Sequence, residues 1–274
     1  MQKEIAKVTP LLLKPNPMGF TSVDMFQHEF NFEPFLVFTE FHIDRPIFGP
    51  HPHAGVSVMT YVMPDSKGSF LNRDSRGDHS IIEPGGIHVT QTGSGIMHDE
   101  VPTVEGVDCH GFQIWINHSD QNRLVEPKAY HASASEVPEY KTDLMKLRVV
   151  QGSYVEKTSP IQLVTDTTIF DVSLQPGASV ELPAKAMAFI YLMAGGILIN
   201  GKEIQGRSMV SFKEEGTLIK VQTVKESAHF IFASGTPHHE PIVYGGPFVM
   251  TTDAQMRDTK LRLGRGEMGE LHPL

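Results

Sequence analysis

HPHAGVSVMTYVM, the stretch that begins at His51, decides the fold of this chain. Its first histidine and His53 stand two positions apart, just before an apolar run rich in β-branched residues. GIMHDEVP holds a second pair with the same spacing, His98 and Glu100. Side chains two positions apart on a strand point to the same face of the sheet. If the two strands are neighbours, three imidazoles and one carboxylate therefore converge on one point.

Three histidines and a carboxylate suit a borderline divalent transition metal such as iron, manganese, nickel or copper. In octahedral coordination they leave two positions open, and open positions allow a metal to take part in chemistry. His88 is the main competing ligand, and we favour a role for it in the pocket wall. Asp78 and His110 are candidate hydrogen-bond partners of the ligating imidazoles, with a core histidine as the alternative role for His110.

The composition excludes several classes of protein. The 274 residues carry a net charge of −9, which argues against direct nucleic-acid binding through phosphate neutralisation. The single cysteine, Cys109, excludes a disulfide framework and a structural zinc finger. The first ten residues contain no apolar run of a secretory signal, and no stretch of about twenty apolar residues could span a bilayer. We therefore expect a cytoplasmic protein with no membrane partner.

The pattern along the chain predicts an all-β protein. Short runs of β-branched and aromatic residues alternate with glycines and prolines, which typically mark turns. Asn200-Gly201, between two alternating runs, predicts a hairpin. One helix is predicted at Asp253–Leu263, with Asp253 as its cap. Besides VSVMTYVM, the predicted strands are Phe112–Ile116, Thr168–Leu174, Phe189–Met193, Leu218–Val224 and His229–Ala233. Many short strands separated by turns indicate a sandwich or a barrel.

Two similar halves flank a polar segment, Glu126–Thr142, which is predicted to be an interdomain linker. HPHAGVSVMTYVM in the first half aligns loosely with LPAKAMAFIYLMA in the second. In this alignment Leu182 and Ala184 take the places of the two histidines. We therefore predict a metal-binding domain at residues 1–135 and a metal-free domain of the same fold at residues 136–274.

The sequence resembles the pirin family, whose members are two-domain proteins of the cupin superfamily. The motifs that carry the resemblance are EPFLVFTEF, HPHAG, TGSGIMHDEVP, HGFQIWIN and GGPFVMTT. The resemblance implies two antiparallel β-barrels of the double-stranded β-helix type. It also implies one Fe(II) ion in the first barrel, bound by His51, His53, His98 and Glu100, with manganese, nickel, copper or zinc as alternatives.

Several positions depart from the family's usual residues. The arginine that usually follows the second histidine is Ala54 here, and the tryptophan usual after the Pro-Gly turn is Val89. The other departures are Ser57, Asp78, Gly86 and Ser94. All four predicted ligands are retained, and the departures are expected to reshape the mouth of the pocket.

The resemblance implies two alternative functions. Some pirins are quercetin dioxygenases, which predicts an Fe(II)-dependent dioxygenase acting on a flavonol or a related oxygenated aromatic, with dioxygen as co-substrate. Glu100 is then also the catalytic base, if it can leave the metal. The alternative is a non-enzymatic regulatory protein whose metal sets the state of a surface bound by a transcription factor or a metabolic enzyme. An enzyme needs an open channel to the metal, whereas a regulator can function with a sealed site.

Overall fold

The structure is a computed structural model that describes all 274 residues. Its secondary structure is almost entirely β, with short strands joined by turns. The first strands are β1 (Ile5–Pro10), β2 (Lys14–Pro15), β3 (Thr21–Phe26), β4 (Phe35–Ile43), β5 (His51–His53), β6 (Val56–Val62), β7 (Phe70–Asp74), β8 (His79–Ile82), β9 (Ile87–Gln91), β10 (Ile96–Pro102), β11 (Cys109–Asn117) and β12 (Lys128–Ala132). The later strands are β13 (Glu139–Lys141), β14 (Met145–Gln151), β15 (Ser153–Tyr154), β16 (Lys157–Thr158), β17 (Thr167–Leu174), β18 (Ser179–Pro183), β19 (Met187–Ile199), β20 (Lys202–Gln205), β21 (Ser208–Phe212), β22 (Leu218–Gln222), β23 (Ala228–Gly235), β24 (Val243–Gly245) and β25 (Phe248–Met250). The helices are α1 (Gln27–Phe30), α2 (Asp253–Gly264) and a 3-10 turn at Asp120–Asn122.

The predicted strands are all present, with differences at their ends. The apolar run after HPH forms β6, and the predicted Phe189–Met193 is the middle of the much longer β19. β19 and β20 form the predicted hairpin, in which Ile199 lies opposite Lys202. Asn200 and Gly201 both have positive φ, 52° and 76°, which is the conformation that favours the Asn-Gly pair.

The helix α2 begins where predicted, but the expectation that Asp253 caps it is wrong. Thr252 is the N-cap: its Oγ1 accepts a hydrogen bond from the backbone N–H of Gln255 at 3.2 Å. The Gln255 side chain in turn accepts one from the backbone N–H of Thr252 at 3.0 Å. Thr252 has the extended backbone that this reciprocal capping box requires. Asp253 instead lies in the first turn, where its charge favours the helix dipole.

Glu126–Thr142, predicted to be an interdomain linker, contains a boundary between two compact units, between Glu136 and Val137, and it also contains two strands that were not predicted. Within it, β12 pairs with β9 and β13 pairs with β14, each as the last strand of its sheet. Strands at a sheet edge expose one side to solvent, and polar residues are typical there. The polar composition therefore reflects two edge strands joined by a short connection.

The chain forms two compact units, and each unit contains segments from both halves of the sequence. We call the first the histidine unit; it consists of residues 14–136, 163–165 and 238–274. The second is the apolar unit, which consists of residues 1–13, 137–162 and 166–237. Each end of the chain is thus grouped with the unit formed mainly by the opposite half of the sequence.

The histidine unit contains two main antiparallel sheets, besides the two-stranded sheet of β24 and β25. The larger has the strand order β12-β9-β6-β11-β4-β3-β2, and the smaller has the order β5-β10-β7-β8. β5 and β10 are hydrogen-bonded neighbours, with His51 opposite His98 and His53 opposite Ile96. The two ligand pairs therefore lie on adjacent strands, which is the condition for their side chains to converge.

The apolar unit repeats this connectivity. β19 lies between β21 and β23, as β6 lies between β9 and β11, and β18 pairs with β22 as β5 pairs with β10. In the second pair Leu182 is opposite Ile219. Leu182 is fully buried, and Ala184 is 9% exposed, within one apolar cluster at the centre of the unit. This centre is filled by side chains, as the sequence predicts for a metal-free copy.

Candidate metal centre

Three of the four predicted ligands come together in the histidine unit. One nitrogen from each of His51, His53 and His98 lies within 4.8 Å of the others. The ring centroids are 4.6 Å apart for His51 and His98, 4.9 Å for His51 and His53, and 5.0 Å for His53 and His98. His53 and His98 are buried and His51 is half-buried. The convergence follows directly from the pairing of β5 with β10.

Each of the three rings has its Nδ1 against an oxygen. Nδ1 of His51 is 2.8 Å from the carbonyl oxygen of Gly49, and Nδ1 of His53 is 3.1 Å from that of Pro247. Nδ1 of His98 faces Oδ1 of Asn72 at 3.4 Å. Because these oxygens only accept hydrogen bonds, the proton of each neutral ring lies on Nδ1. Nε2 is therefore the nitrogen that is free to bind a metal in all three rings.

The arrangement fits a divalent metal. Nε2 of His98 is buried and has no hydrogen-bond partner, which is rare for a buried polar atom and is expected of a metal ligand. Burial, together with the nearby His51, lowers the pKa of His53 to about 3, while the hydrogen bond to Pro247 opposes the shift. Burial and the neighbouring histidines also hold the pKa of His98 well below its usual range. Both rings are thus neutral at physiological pH, the form that binds metals.

Glu100 lies in the same pocket but outside the cluster of three histidines. β5 pairs only with the first residues of β10, up to His98, so Glu100 lies beyond the end of the pairing. Its Oε1 accepts a hydrogen bond from Oγ1 of Thr60, which in turn accepts one from Nε2 of Gln113 at 2.8 Å. Burial raises the pKa of Glu100, although the hydrogen bonds from Thr60 and Gln113 oppose the shift.

An apolar cavity of about 440 Å³ leads to this site. Its polar lining residues besides the histidines are Thr39, Glu100 and Gln113. Phe48, another lining residue, is 38% exposed, so the cavity reaches the protein surface. The remaining large side chains of the lining are Phe20, Phe41, Ile43, Phe70 and Trp115. The cavity is of the size and character of small-molecule sites.

None of the six positions that depart from the family pattern is among the residues that line this cavity, and the expected reshaping of its mouth stays a prediction. Ala54 and Val89 are fully buried in the protein core. Ser57 is buried too, and its hydroxyl lies 2.8 Å from Nε2 of His118. Ala54, Ser57 and Val89 are therefore packed inside the protein and not at the cavity wall.

His88 and Asp78 belong to the surroundings of the ligand His98. Nδ2 of Asn72 donates a hydrogen bond to Oδ2 of Asp78 at 2.8 Å, and this fixes the amide so that Oδ1 faces His98. Nε2 of His88 is 3.8 Å from the same Asp78 oxygen. Burial lowers the pKa of His88 to about 4, while the charge of Asp78 opposes the shift. His88 is thus not one of the three clustered histidines, as expected, and Asp78 supports the site through Asn72.

His110 lies in a separate cluster with Glu40 and His42. Its Nε2 is 3.0 Å from Oε1 of Glu40, and its Nδ1 is 3.2 Å from Oδ1 of Asp65. The rings of His42 and His110 stack at 4.2 Å with an angle of 7°. The nitrogen lone pairs of an imidazole lie in the plane of its ring. Because the rings of His42 and His110 are stacked in parallel planes, their lone pairs do not point at one ion. Carboxylates at both nitrogens of His110 instead indicate an imidazolium.

Sequence analysis missed several residues that shape the site, above all Asn72, Pro247, Thr60 and the cavity aromatics. Several residues of the site lie within motifs that were recognised. Gln113 and Trp115 occupy alternate positions of HGFQIWIN, and both line the cavity. Pro247 lies in GGPFVMTT. The alternation along a strand could have assigned Gln113 and Trp115 to the same face as each other.

None of the helices has the length and apolar character required to cross a membrane. His238, His239 and Glu240 lie in a loop without regular secondary structure, outside the clusters of side chains that could hold a metal.

The fold and the site define a two-domain cupin protein, with two antiparallel β-barrels, a short C-terminal helix and one candidate metal centre. The sequence profile described as Pirin matches residues 16–116, and the profile described as Pirin C-terminal cupin domain matches residues 169–269. The chain belongs to the pirin family.

Relatives and solved structures agree with this assignment. Human pirin is 30% identical over 246 residues, covering 87% of this chain and 84% of that protein. Pirin-like protein 2 of Arabidopsis thaliana is 32% identical over 235 residues, covering 82% and 72%. The quercetin 2,3-dioxygenase of Acinetobacter baumannii superposes with a TM-score of 0.88 at 20% identity, covering 99% of this chain and 100% of that one. The bacterial pirin YhhW of Escherichia coli, solved with nickel(II), has a TM-score of 0.65 at 17% identity, covering 84% and 99%. At these identities the two solved structures establish the fold.

Proposed function

We propose that this pirin is an Fe(II)-dependent dioxygenase that acts on a flavonol or a related oxygenated aromatic compound. One observation carries the proposal: an open apolar cavity ends at three histidines with free Nε2 atoms and at a buried carboxylate. A regulatory site has no need of such access to its metal. The cytoplasmic location stays a prediction from the sequence.

The cavity suits a planar aromatic substrate. Its walls include the rings of Phe41, Phe48 and Trp115, and aromatic rings stack favourably on aromatic side chains. The few polar groups at the wall, Glu100 and Gln113 among them, would orient substrate hydroxyls. A substrate of this kind would fill the cavity and exclude water from the site.

His51, His53 and His98 would hold the metal through Nε2, and Glu100 would be the fourth ligand if its side chain turned from Thr60. A bound divalent metal supplies a Lewis acid that favours the ionised form of a substrate hydroxyl. In the position observed, Glu100 is instead suited to accept the proton of that hydroxyl. Its raised pKa brings it closer to the range of a general base at physiological pH. Thr60 and Gln113 keep the carboxylate oriented toward the cavity.

Similar proteins support both parts of the proposal. A solved structure with the same fold is a quercetin 2,3-dioxygenase, and another member of the family is solved with nickel(II). The first supports an oxygenated aromatic substrate. The second supports a first-row transition metal, and the choice of iron among these metals rests on the family resemblance.

The test is oxygen uptake by the Fe(II)-loaded protein with quercetin, other flavonols and catechols, followed together with loss of the flavonol absorbance. Glu100→Gln should lose most turnover, because the amide cannot accept the proton, and Glu105→Gln, at an exposed carboxylate, should retain it. Absence of oxygen uptake with every compound would contradict the proposal and leave the regulatory function.

A further inference from the structure

The segment Tyr244–Thr251, which we call the return segment, packs against the strand that carries two metal ligands. The carbonyl oxygen of Pro247 accepts the Nδ1 proton of His53 at 3.1 Å. The backbone N–H of Val249 donates to the carbonyl of Ala54 at 3.1 Å, and Phe248 forms a parallel bridge with the same residue. A main-chain contact thus follows directly after the ligating histidine.

A buried arginine ties the same two elements together. Arg123 is fully buried, and its Nη1 donates to the carbonyl of Gly55 at 3.0 Å and to Oδ1 of Asn117 at 2.6 Å. Its Nε donates to Oγ1 of Thr251, at the end of the return segment, at 3.3 Å. The guanidinium therefore bridges the residues after His53 and the return segment.

The return segment is closely packed against the residues that follow His53. A Cβ at Gly55 would lie 1.9 Å from the carbonyl oxygen of Val249. The Val249 side chain is fully buried against Leu36, Val56 and Val58. The position of the Pro247 carbonyl is therefore fixed by packing of its neighbours.

The chain beyond α2 contacts the other ligand strand, β10. The carbonyl oxygen of Met268 accepts hydrogen bonds from the backbone N–H of Met97, at 3.3 Å, and from Oγ of Ser75, at 2.6 Å. Met97 directly precedes the ligand His98. Both strands that carry the candidate ligands are thus held by the last part of the chain.

We propose that the return segment and Met268 are positioning elements of the metal centre: the Pro247 carbonyl fixes the tautomer and ring orientation of His53, and the Met268 carbonyl holds β10 next to His98. The inference rests on the metal site of the proposed function. Because a binding equilibrium coupled to an ordered contact is reciprocal, metal binding and docking of the return segment stabilise each other. Partners of this kind typically change metal affinity about 10–100-fold.

The first test compares two buried valines of the histidine unit. Val249→Ala loosens the return segment, whereas Val23→Ala removes the same groups from a valine that is 3% exposed in β3. Titration of the metal-free proteins with Ni²⁺ should show about tenfold weaker binding for Val249→Ala. Binding by Val23→Ala should stay within about twofold of wild type, although both variants lose similar thermal stability. Val249→Ile, which keeps a branched side chain at this position, should bind Ni²⁺ with the affinity of wild type.

A second pair of variants, at two glycines that follow α2, provides the test if Val249→Ala does not fold. Gly269→Ala would place a Cβ 2.7 Å from Cβ of Ser75 and displace the neighbouring Met268. Gly266→Ala has a similar positive φ, 74° against 80°, but its Cβ meets open space. Only Gly269→Ala should weaken Ni²⁺ binding.

Hydrogen exchange provides the reciprocal measurement. Ni²⁺ should slow exchange of the amides in residues 244–251 more than in β3. Equal Ni²⁺ affinity of wild type and both test variants, with no added protection of the return segment, would overturn the inference while leaving the metal site intact. If wild type itself bound no Ni²⁺, the proposed function would fail instead.

Discussion

The strands around the centres of the two units have the same connectivity. The side chains at these centres are polar in the histidine unit and apolar in the apolar unit. In the histidine unit His51 faces His98 across the β5–β10 pair. In the apolar unit the corresponding β18–β22 pair places Leu182 opposite Ile219. Ala184 donates its backbone N–H to Thr217 at 3.0 Å, just beyond this pair.

The register extends the correspondence beyond the residues that sequence alignment identified. Two positions after Ile219 comes Val221, as Glu100 comes two positions after His98. All four candidate-ligand positions of the histidine unit are therefore apolar in the apolar unit. The same barrel fold therefore accommodates either a polar or an apolar centre. The candidate metal site depends on a few side chains and not on the fold itself.

The largest effect is expected from removing a ligand. His98→Ala should abolish turnover and reduce the metal content well below the one ion per chain expected for wild type, because two imidazoles remain. The protein should stay folded, since the cores of both units are built from apolar strands. Elemental analysis, oxygen uptake and circular dichroism measure the three outcomes. The control is His79→Ala, at an exposed histidine of β8. Two ions per wild-type chain would contradict the comparison.

The opposite substitution tests whether the centre of the apolar unit can accept a histidine. Leu182→His should destabilise the protein by about 3–5 kcal/mol, because it removes packing and buries an imidazole without a partner. It should add no metal, since a single ligand does not make a site. Thermal unfolding and elemental analysis of the variant provide the test. An unchanged melting temperature would show that the centre of the apolar unit is not closely packed.

Asn72 offers a finer test of how the metal-bearing centre is built. Asn72→Leu removes the acceptor for His98 Nδ1 and should weaken Ni²⁺ binding about tenfold. Asp78→Asn still offers an oxygen to Asn72, so its effect should be smaller. Calorimetric titration would rank the two variants. A larger loss in Asp78→Asn than in Asn72→Leu would show that the charge near His88 matters more than the orientation of His98.

The smallest effect concerns His110, away from both centres. Burial alone would lower its pKa, but the hydrogen bond and charge of Glu40, together with Asp65, raise it. A raised folded-state pKa gives stability that is fully present below the unfolded pKa of about 6.5 and is lost as pH rises through the folded value. His110→Gln should therefore lower the melting temperature more at pH 5.5 than at pH 8.5, by an effect of about 1 kcal/mol. His28→Gln, exposed in α1, should show no such trend; a pH-independent loss in His110→Gln would refute the imidazolium.

The ligand pairs could be predicted because their geometry is local. Spacing of two on a strand places His51 and His53 on one face whatever the rest of the chain does. The pairing of the two strands needed only the general arrangement of the barrel. Glu100 shows the limit: the start of β5 at His51, which pairs with His98, decides how far along β10 the pairing and the histidine cluster extend, and strand ends are poorly specified by sequence.

The partners of these side chains could not be predicted in the same way. Asn72 and Pro247 contact the histidines through tertiary packing, and no periodicity connects them to their partners. Thr252 and Asp253 are both good capping residues, and only the backbone conformation decides between them. Edge strands such as β12 look like linkers in sequence because exposed strands and loops share a polar composition.

The return segment has a consequence for how the protein is made. His53 and the carbonyl that orients it are separated by 194 residues, so at ordinary rates of synthesis the second follows the first by about 10–40 s. During that interval the nascent chain presents its histidines without the support that fixes the His53 tautomer. On the proposal made above, high-affinity metal loading is therefore expected late in biogenesis. A ribosome that stalls before Pro247 leaves a product that contains every candidate ligand and still lacks the finished centre.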